Sequence, residues 1–530
     1  MRWHMTSVEI FDSTLRDGAQ GEGISFSVGD KLAIVRALDA FGVDYIEAGN
    51  PGSNPKDLDF FRRVAALSLQ NARLCAFGST CRKGEAPEDD PNVRSLLDAG
   101  TGSVCIFGKA WDLHVTQVLG ASLAENLRLV TDTVRYLKAA GREVIFDAEH
   151  FFDGYQNNPA YAMKVLAAAR AAGADALCLC DTNGGTLPEE IRRTAEAVCA
   201  AFPGVRVGIH CHNDSGCAVA SSLAAVRAGA TQVQGTFIGI GERCGNADLS
   251  AILPALRLKM GLDCKGDLPN LRHTASAIAE LCNLSLTSNR PYVGASAFAH
   301  KGGMHIDGVS KLSRSFEHIP PEAVGNERRF LMSEVSGRTT VLAKLAQVAP
   351  ELTKNSPEVA EIVAKLKELE HDGFQFEAAD ASFELMVLRT LKRYQPHFTL
   401  GMYRISGEYP FPDGDQSASA MLSVSVDGQQ ETTAAMGHGP VHALDTALRK
   451  ALSVFYPELA RVRLTDYKVR VLSGRDATAS TVRVLIESSD GETTWTTVGV
   501  SSDIIAASWQ ALTDSIEYIL HQKEAETQCP

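Results

Sequence analysis

His210 and His212 close the strand-like run Val205–His212 and are the sharpest chemical signal in the sequence. Residues two apart on an extended strand point to the same side, so both imidazoles can reach one cation while Cys211 faces the other way. Two imidazoles with a carboxylate or amide oxygen make a divalent-metal ligand set that leaves positions open for a substrate. Asp17 can supply the carboxylate and Asn246 a further oxygen. The competing reading is a pair of satisfied core histidines. Polar Asn213-Asp214 directly after the pair marks a strand end and favours the metal. Cys211 reads as packing against a helix layer. Arg16 beside Asp17 is either a surface ion pair or, at the end of a first strand, a clamp for a carboxylate or enolate. Glu149 and Glu242 are candidate bases or orienting groups, with loop anchoring as the plainer alternative. Glycines 239, 241 and 245 let backbone approach a ligand closely.

The elements that would carry these residues repeat. Over the first 260 residues, short apolar runs alternate with amphipathic stretches, the texture of βα units. The expected strands are Val8–Asp12, Val43–Ala48, Arg73–Phe77, Ser103–Phe107, Glu143–Asp147, Ala176–Cys180, Val205–His212 and Gln232–Ile238. Eight strands in about 250 residues predict a (β/α)8 TIM barrel, whose chemistry gathers at the C-terminal strand ends. A doubly wound sheet would want a Gly-rich first turn, and Ser13–Gly18 is polar instead. Ser27, Ser122 and Asp214 are expected helix N-caps, and Gly42, Gly141, Gly173 and Gly229 expected helix ends. Beyond the barrel comes a loop-rich stretch, then a mainly helical one over Thr339–Phe376. Two β-β-β-α units follow between His397 and Leu520, an internal duplication. The domains expected are a catalytic barrel over 1–275, a linker subdomain over 276–335, a helical subdomain over 336–390 and an α+β C-terminal domain over 391–530.

Composition narrows the function classes. Of 530 residues, 45% are hydrophobic and 22% charged, as in soluble globular chains, and 51 Lys and Arg face 64 Asp and Glu. An acidic chain without a basic run is a poor partner for nucleic acid or an anionic membrane. No apolar stretch approaches the roughly 18 residues of a membrane span. Twelve scattered cysteines without a C-x-x-C pair read as reduced thiols of a cytoplasmic protein.

The segments Asp12–Gly18, His210–Asn213 and Gly241–Asn246 closely resemble the signatures of metal-dependent acyl-CoA condensing enzymes of the isopropylmalate and homocitrate synthase type. The resemblance continues through His300–Gly308, Gly325–Gly337 and the duplicated C-terminal domain, so it covers essentially the whole chain. It implies a Claisen-type condensation of acetyl-CoA with a 2-oxo acid, followed by thioester hydrolysis. It also implies Asp17, His210, His212 and Asn246 as ligands of Mn2+, Mg2+, Co2+ or Zn2+, and Arg16, Gln20 and Thr182 as the 2-oxo acid site. Arg16, Glu149, Glu242, His305 and Asp307 would serve catalysis, with the His305 segment reaching over the barrel of a partner in a homodimer. Gly18–Ser27 and Phe77–Gly84 differ from isopropylmalate synthases and point to pyruvate as substrate, and the resemblance implies that the duplicated C-terminal domain binds an end-product amino acid, with isoleucine expected as feedback inhibitor. The alternative within the family is 2-oxoisovalerate. Phe316 stands where the family pattern calls for Tyr. Two other classes remain: a metal-dependent lyase or aldolase, which has no need of the C-terminal duplication, and an amino-acid sensor, which has no need of four metal ligands and Arg16.

Overall fold

The computed structural model describes residues 7–528 except 54, 332–340, 343, 346, 347, 354, 408–416, 473–479 and 492. The second half of Gly325–Gly337 and the loop Gly474–Ala477 lie outside the described residues. The chain forms two compact units, Met1–Phe298 with His318–Arg328, and Ala299–Glu317 with Arg329–Pro530.

In the first unit, β1 (Glu9–Asp12), β2 (Tyr45–Glu47), β3 (Arg73–Ser79), β4 (Ser103–Lys109), β5 (Glu143–Glu149), β6 (Ala176–Asp181), β7 (Arg206–Cys211) and β8 (Gln232–Gly235) close into a barrel in sequence order. All neighbours are parallel, and closure pairs Glu9 with Gln232 through Asp12 with Gly235. Strands covered on both faces need apolar residues on both, which is why β6 reads Leu177-Cys-Leu-Cys180 with every residue buried. The surrounding helices begin and end on local chemistry. Ser27 forms a capping box with Asp30, Ser122 accepts from the Glu125 amide, and Gly42, Gly141, Gly173 and Gly229 all adopt positive φ.

Three expectations need correction. Strand β8 stops at Gly235, because the Phe237 amide donates to Thr14 Oγ1 and Ile238 turns to φ 56°. Strand β7 ends at Cys211, and His212 sits beyond it on a single bridge to Asn246. Asp214 caps no helix. Its carboxylate is taken by Arg243 at 2.8 Å, and Asn213 Oδ1 accepts the Ala218 amide at 3.2 Å instead. Cys211 does pack into the layer between barrel and helices.

The N-terminal end of the barrel is closed by polar groups from the first residues of four strands. Arg206 bonds Glu9 at 3.0 Å, Glu143 at 2.6 Å and the Tyr45 hydroxyl at 2.9 Å. Such a ring holds the strands at the end remote from catalysis.

In the second unit, β9 (Ala299–His300) pairs in parallel with β10 (Arg329–Phe330). Helices Pro357–His371 and Asp380–Thr390 follow, the former inside the stretch expected to be helical. Two antiparallel sheets come next: β11 (Thr399–Gly407), β12 (Ala418–Val426) and β13 (Gln429–Gly437), then β14 (Arg463–Val471), β15 (Val482–Ser489) and β16 (Thr494–Ser501). Each sheet is followed by a helix, Pro440–Leu452 and Ile504–Gln528. The duplication extends to packing detail. A Cβ on Gly437 would lie 2.4 Å from Ala443 N, and one on Gly499 would lie 2.0 Å from Ala507 O. In both repeats, then, only glycine lets the third strand touch its helix.

Among the described residues no helix is long and apolar enough to cross a membrane, and every described cysteine is free.

Candidate active site

The turn after β1 is built by its own side chains. Asp12 accepts from Thr14 N and Oγ1, both at 2.9 Å, and the Asp17 amide returns to Ser13 O at 2.9 Å. This turn sets Arg16 and Asp17 at the C-terminal end of the barrel. Arg16 is then fixed on three sides. Its Nε donates to Glu47 Oε2 at 2.6 Å, its Nη1 to Asp17 Oδ2 at 2.9 Å, and its guanidinium lies 3.8 Å over the Phe77 ring. Burial works against the charge of Arg16, but Glu47, Asp17 and Asp147 outweigh it and raise its pKa. Ser13 Oγ also donates to Glu47, which is wholly buried.

His210 and His212 bring their Nε2 atoms to 3.4 Å from each other and to 3.3 and 3.8 Å from Asp17 Oδ2. The three residues offer ligating atoms that all lie within 4.8 Å of one another. Burial opposes ionisation of Asp17, yet Arg16 and His210 hold its carboxyl well below the ordinary range. Burial and the His210 neighbour push His212 down to about 4, so that ring is neutral and its lone pair free. The His210 tautomer follows from a chain of bonds. Gln234 Nε2 donates to Asp147 Oδ1 at 3.0 Å, which turns its Oε1 toward His210 Nδ1 at 3.1 Å. His210 Nδ1 therefore carries a hydrogen, and although burial disfavours charge on the ring, Asp17 beside Nε2 raises its pKa. Burial first, and the Glu47 carboxylate second, raise Asp147 to about 6.

These groups fit a divalent cation. Asp17 Oδ1 is buried without a hydrogen-bond partner, and two imidazole nitrogens face each other where only one hydrogen could lie between them. Asn246 donates through Nδ2 to Ile240 O, leaving a buried, unpartnered Oδ1 on the residue bridged to His212. The glycines around it make room for this arrangement. A Cβ on Gly241 would lie 2.1 Å from Asn246 Nδ2, and one on Gly245 would lie 2.0 Å from Gly239 O.

Eight of the residues singled out in the sequence line one cavity of about 230 Å3: Arg16, Asp17, Gln20, Glu149, Thr182, His210, His212 and Glu242. Thr182 Oγ1 accepts the His150 amide at 2.9 Å, which leaves its hydroxyl hydrogen to donate. Glu149 pairs with Lys109, and Glu242 is at the rim, its side chain 53% exposed. His305 and Asp307 belong to the second unit, on helix Gly303–Lys311, where the His305 ring stacks 4.2 Å from Phe316 and Asp307 pairs with Lys311. Sequence reasoning missed Glu47, Gln234, Phe77 and Phe107 as parts of the site. Phe77 and Phe107, 5.5 Å apart, form its apolar wall. The one weak signal for Glu47 was a carboxylate near the end of the expected strand Val43–Ala48, which also carries Asp44.

The HMGL-like family model matches residues 7–278, the homocitrate synthase post-HMGL domain-like model residues 292–373, and the LeuA allosteric (dimerisation) domain model residues 377–520. The (R)-citramalate synthase of Aquifex aeolicus is 50% identical over 98% of this chain and 99% of its own. That of Geobacter sulfurreducens is also 50% identical, over 98% of this chain and 99% of its own. A probable 2-isopropylmalate synthase of Methanopyrus kandleri is 34% identical over 97% and 99%. With half of all positions shared along nearly its full length, the chain belongs to the (R)-citramalate synthase family.

Proposed function

We propose that the enzyme condenses acetyl-CoA with pyruvate and hydrolyses the product to (R)-citramalate and CoA, the first step of a pyruvate route to isoleucine. The observation that carries this reading is the Arg16–Asp17–His210–His212 cluster facing an aromatic wall in a cavity of about 230 Å3. Such a cavity offers cationic and metal-binding groups to a 2-oxo carboxylate and an apolar surface to a short substituent.

Asp17, His210, His212 and Asn246 hold a divalent ion. When bound, that ion supplies Lewis acidity to the substrate ketone. Arg16, locked by Glu47 and Phe77, presents a fixed positive charge where negative charge develops, at no reorganisation cost. Thr182 donates its hydroxyl to the substrate carboxylate, with Gln20 beside it. Phe77 and Phe107 keep water from the reacting carbon. A base must reach the acetyl methyl group; Glu149 lines the cavity, and the family resemblance offers His305 as the alternative. Phe316, in place of a tyrosine, contributes ring stacking to His305 and no proton.

Free-thiol release from acetyl-CoA, followed over a panel of 2-oxo acids, tests the substrate. Pyruvate should give the highest kcat/KM, with 2-oxobutyrate next and 2-oxoisovalerate at least about tenfold lower, since a pocket walled by two aromatic rings rejects branching by overpacking. A preference for 2-oxoisovalerate would make the enzyme an isopropylmalate synthase.

The C-terminal domain is proposed to dimerise the chain and to bind isoleucine. Its support is the LeuA-type match over 377–520 and the duplicated sheets, whose loop Gly437–Pro440 meets a helix N-terminus. Inhibition requires unequal affinity for two states, so isoleucine should change pyruvate or acetyl-CoA kinetics as well as bind. A chain ending after Lys392 should lose isoleucine sensitivity. Calorimetry with the full-length protein showing no isoleucine binding at millimolar concentration would leave dimerisation alone.

A further inference from the structure

Ile238 is a backbone outlier in the loop that follows β8. It is β-branched and buried, yet it holds φ 56° and ψ 18°, the left-handed region that such a side chain avoids. The rest of the loop is built on the turn it makes. Gly239 N returns to Thr236 O at 3.2 Å, and Thr236 Oγ1 donates to Ile240 O at 2.7 Å. The same Ile240 carbonyl accepts Asn246 Nδ2 at 3.2 Å, which holds the Asn246 side chain in place. Ile240 also rests against the residue after Asp17, because a Cβ on Gly18 would lie 2.9 Å from Ile240 Cγ1. A shift at Ile238 would therefore reach both Asn246 and the turn that carries Asp17.

Arg290 grips the outlier from outside the loop. Its Nη1 donates to Ile238 O at 2.6 Å and to Asp248 Oδ2 at 2.8 Å. Asp248 is held in turn, since its Oδ1 caps helix Leu249–Pro254 by accepting Ser250 N at 2.9 Å and Ser250 Oγ at 2.6 Å. The Arg290 backbone is fixed as well, by Arg290 N to Thr287 O at 3.1 Å and Gly294 N to Arg290 O at 3.0 Å. Arg290 Nε is buried without a hydrogen-bond partner among the described residues, a cost that the contacts at the other end of the guanidinium must offset. We propose that Arg290 is a positioning residue for the condensation. A charge-assisted bond to the Ile238 carbonyl keeps the strained turn closed, and the closed turn keeps Asn246 and Asp17 at the ligand cluster. Arg290 itself lines neither the cavity nor the cluster. The inference rests on the ligand set proposed above and extends it to a residue beyond the eighth strand.

Calorimetric titration of the chelator-stripped full-length protein with Mn2+ tests the proposal. Arg290→Met should weaken Mn2+ binding about tenfold or more and lower kcat alongside, with the circular dichroism of wild type. Ile238→Gly and Ile238→Ala delete nearly the same side-chain contacts, but only glycine adopts this backbone without strain. With Arg290 intact, the two should bind Mn2+ within about threefold of each other. With Arg290→Met added, the Ile238→Ala form should fall about tenfold behind the Ile238→Gly form. Amide hydrogen exchange over residues 236–246 gives a reading that needs no metal, and it should quicken in Arg290→Met while the barrel strands stay protected. Wild-type Mn2+ affinity in Arg290→Met would overturn the proposal. So would an equal loss in the Ala and Gly forms, which would make Arg290 an anchor indifferent to the strained turn. If wild type binds no Mn2+, the ligand set fails and exchange alone decides. Faster exchange confined to 236–246 then upholds the clamp, and unchanged exchange overturns it. Should the Ile238 variants not fold, Asp248→Asn keeps the helix cap and removes the charge that orients Arg290. Weakened Mn2+ binding in that variant upholds the clamp, and wild-type binding overturns it.

Discussion

Asp17→Ala and His210→Ala should each lower kcat by about three orders of magnitude or more, because each removes charge stabilisation at the reacting ketone and the group that holds its source. Chelation of the wild type should abolish turnover equally, and Mn2+, Mg2+, Co2+ or Zn2+ should restore it to different extents, as a His, carboxylate and amide set tolerates several ions. The two variants should remain folded. His210 and Asp17 sit at the open end of the barrel, while the apolar layer between strands and helices is untouched by either change. Circular dichroism and gel filtration would check that, and steady-state kinetics with added metal would read the loss. An active His210→Ala enzyme would remove the basis of the proposed site.

The second large effect belongs to Arg16. In Arg16→Lys an ammonium replaces a planar fork that now serves Glu47, Asp17 and the Phe77 face at once. No single Nζ position reproduces those three contacts, and kcat/KM should fall by about 10²–10³. Arg16→Ala should do more, since it strands the buried carboxylate of Glu47, and removing one partner of a buried pair costs about 3–5 kcal/mol. The Arg16→Ala/Glu47→Gln double variant separates the two roles: it should recover much of the lost melting temperature and none of the activity. Recovery of activity in the double variant would show that Arg16 only shields Glu47.

The barrel and the meeting of His210 with His212 were legible because period and spacing carry them, even though His212 lies one residue past the end of its strand. A residue pair two apart on a strand must share a face, and a run of βα units must bring the strand ends together. Glu47, Gln234, Phe77 and Phe107 were not legible, for the opposite reason. Each is a single residue on its strand, and only the closed barrel decides which strand ends meet. Asp214 looked like a helix cap because capping is a local rule, whereas its partner Arg243 arrives from a loop 29 residues away. The expected extension of β8 failed on a similar long-range contact, the bond from Phe237 to Thr14 across 223 residues. His305 and Asp307 were singled out by motif alone, and their helix belongs to the second unit.

Barrel closure has a consequence for biogenesis. Strand β1 finds its second neighbour only when β8 exists, since Glu9 and Gln232 are 223 residues apart. At roughly 5–20 residues per second of synthesis, about 10–45 s pass between the emergence of the two strands. During that interval Asp17 and His210 cannot meet, because the edge that brings them together is still open. Assembly of the candidate site is therefore a late event, gated by translation of the eighth strand. Slowing elongation between β1 and β8 should prolong the exposure of an unpaired parallel edge, and that interval is when the nascent chain is most prone to aggregate.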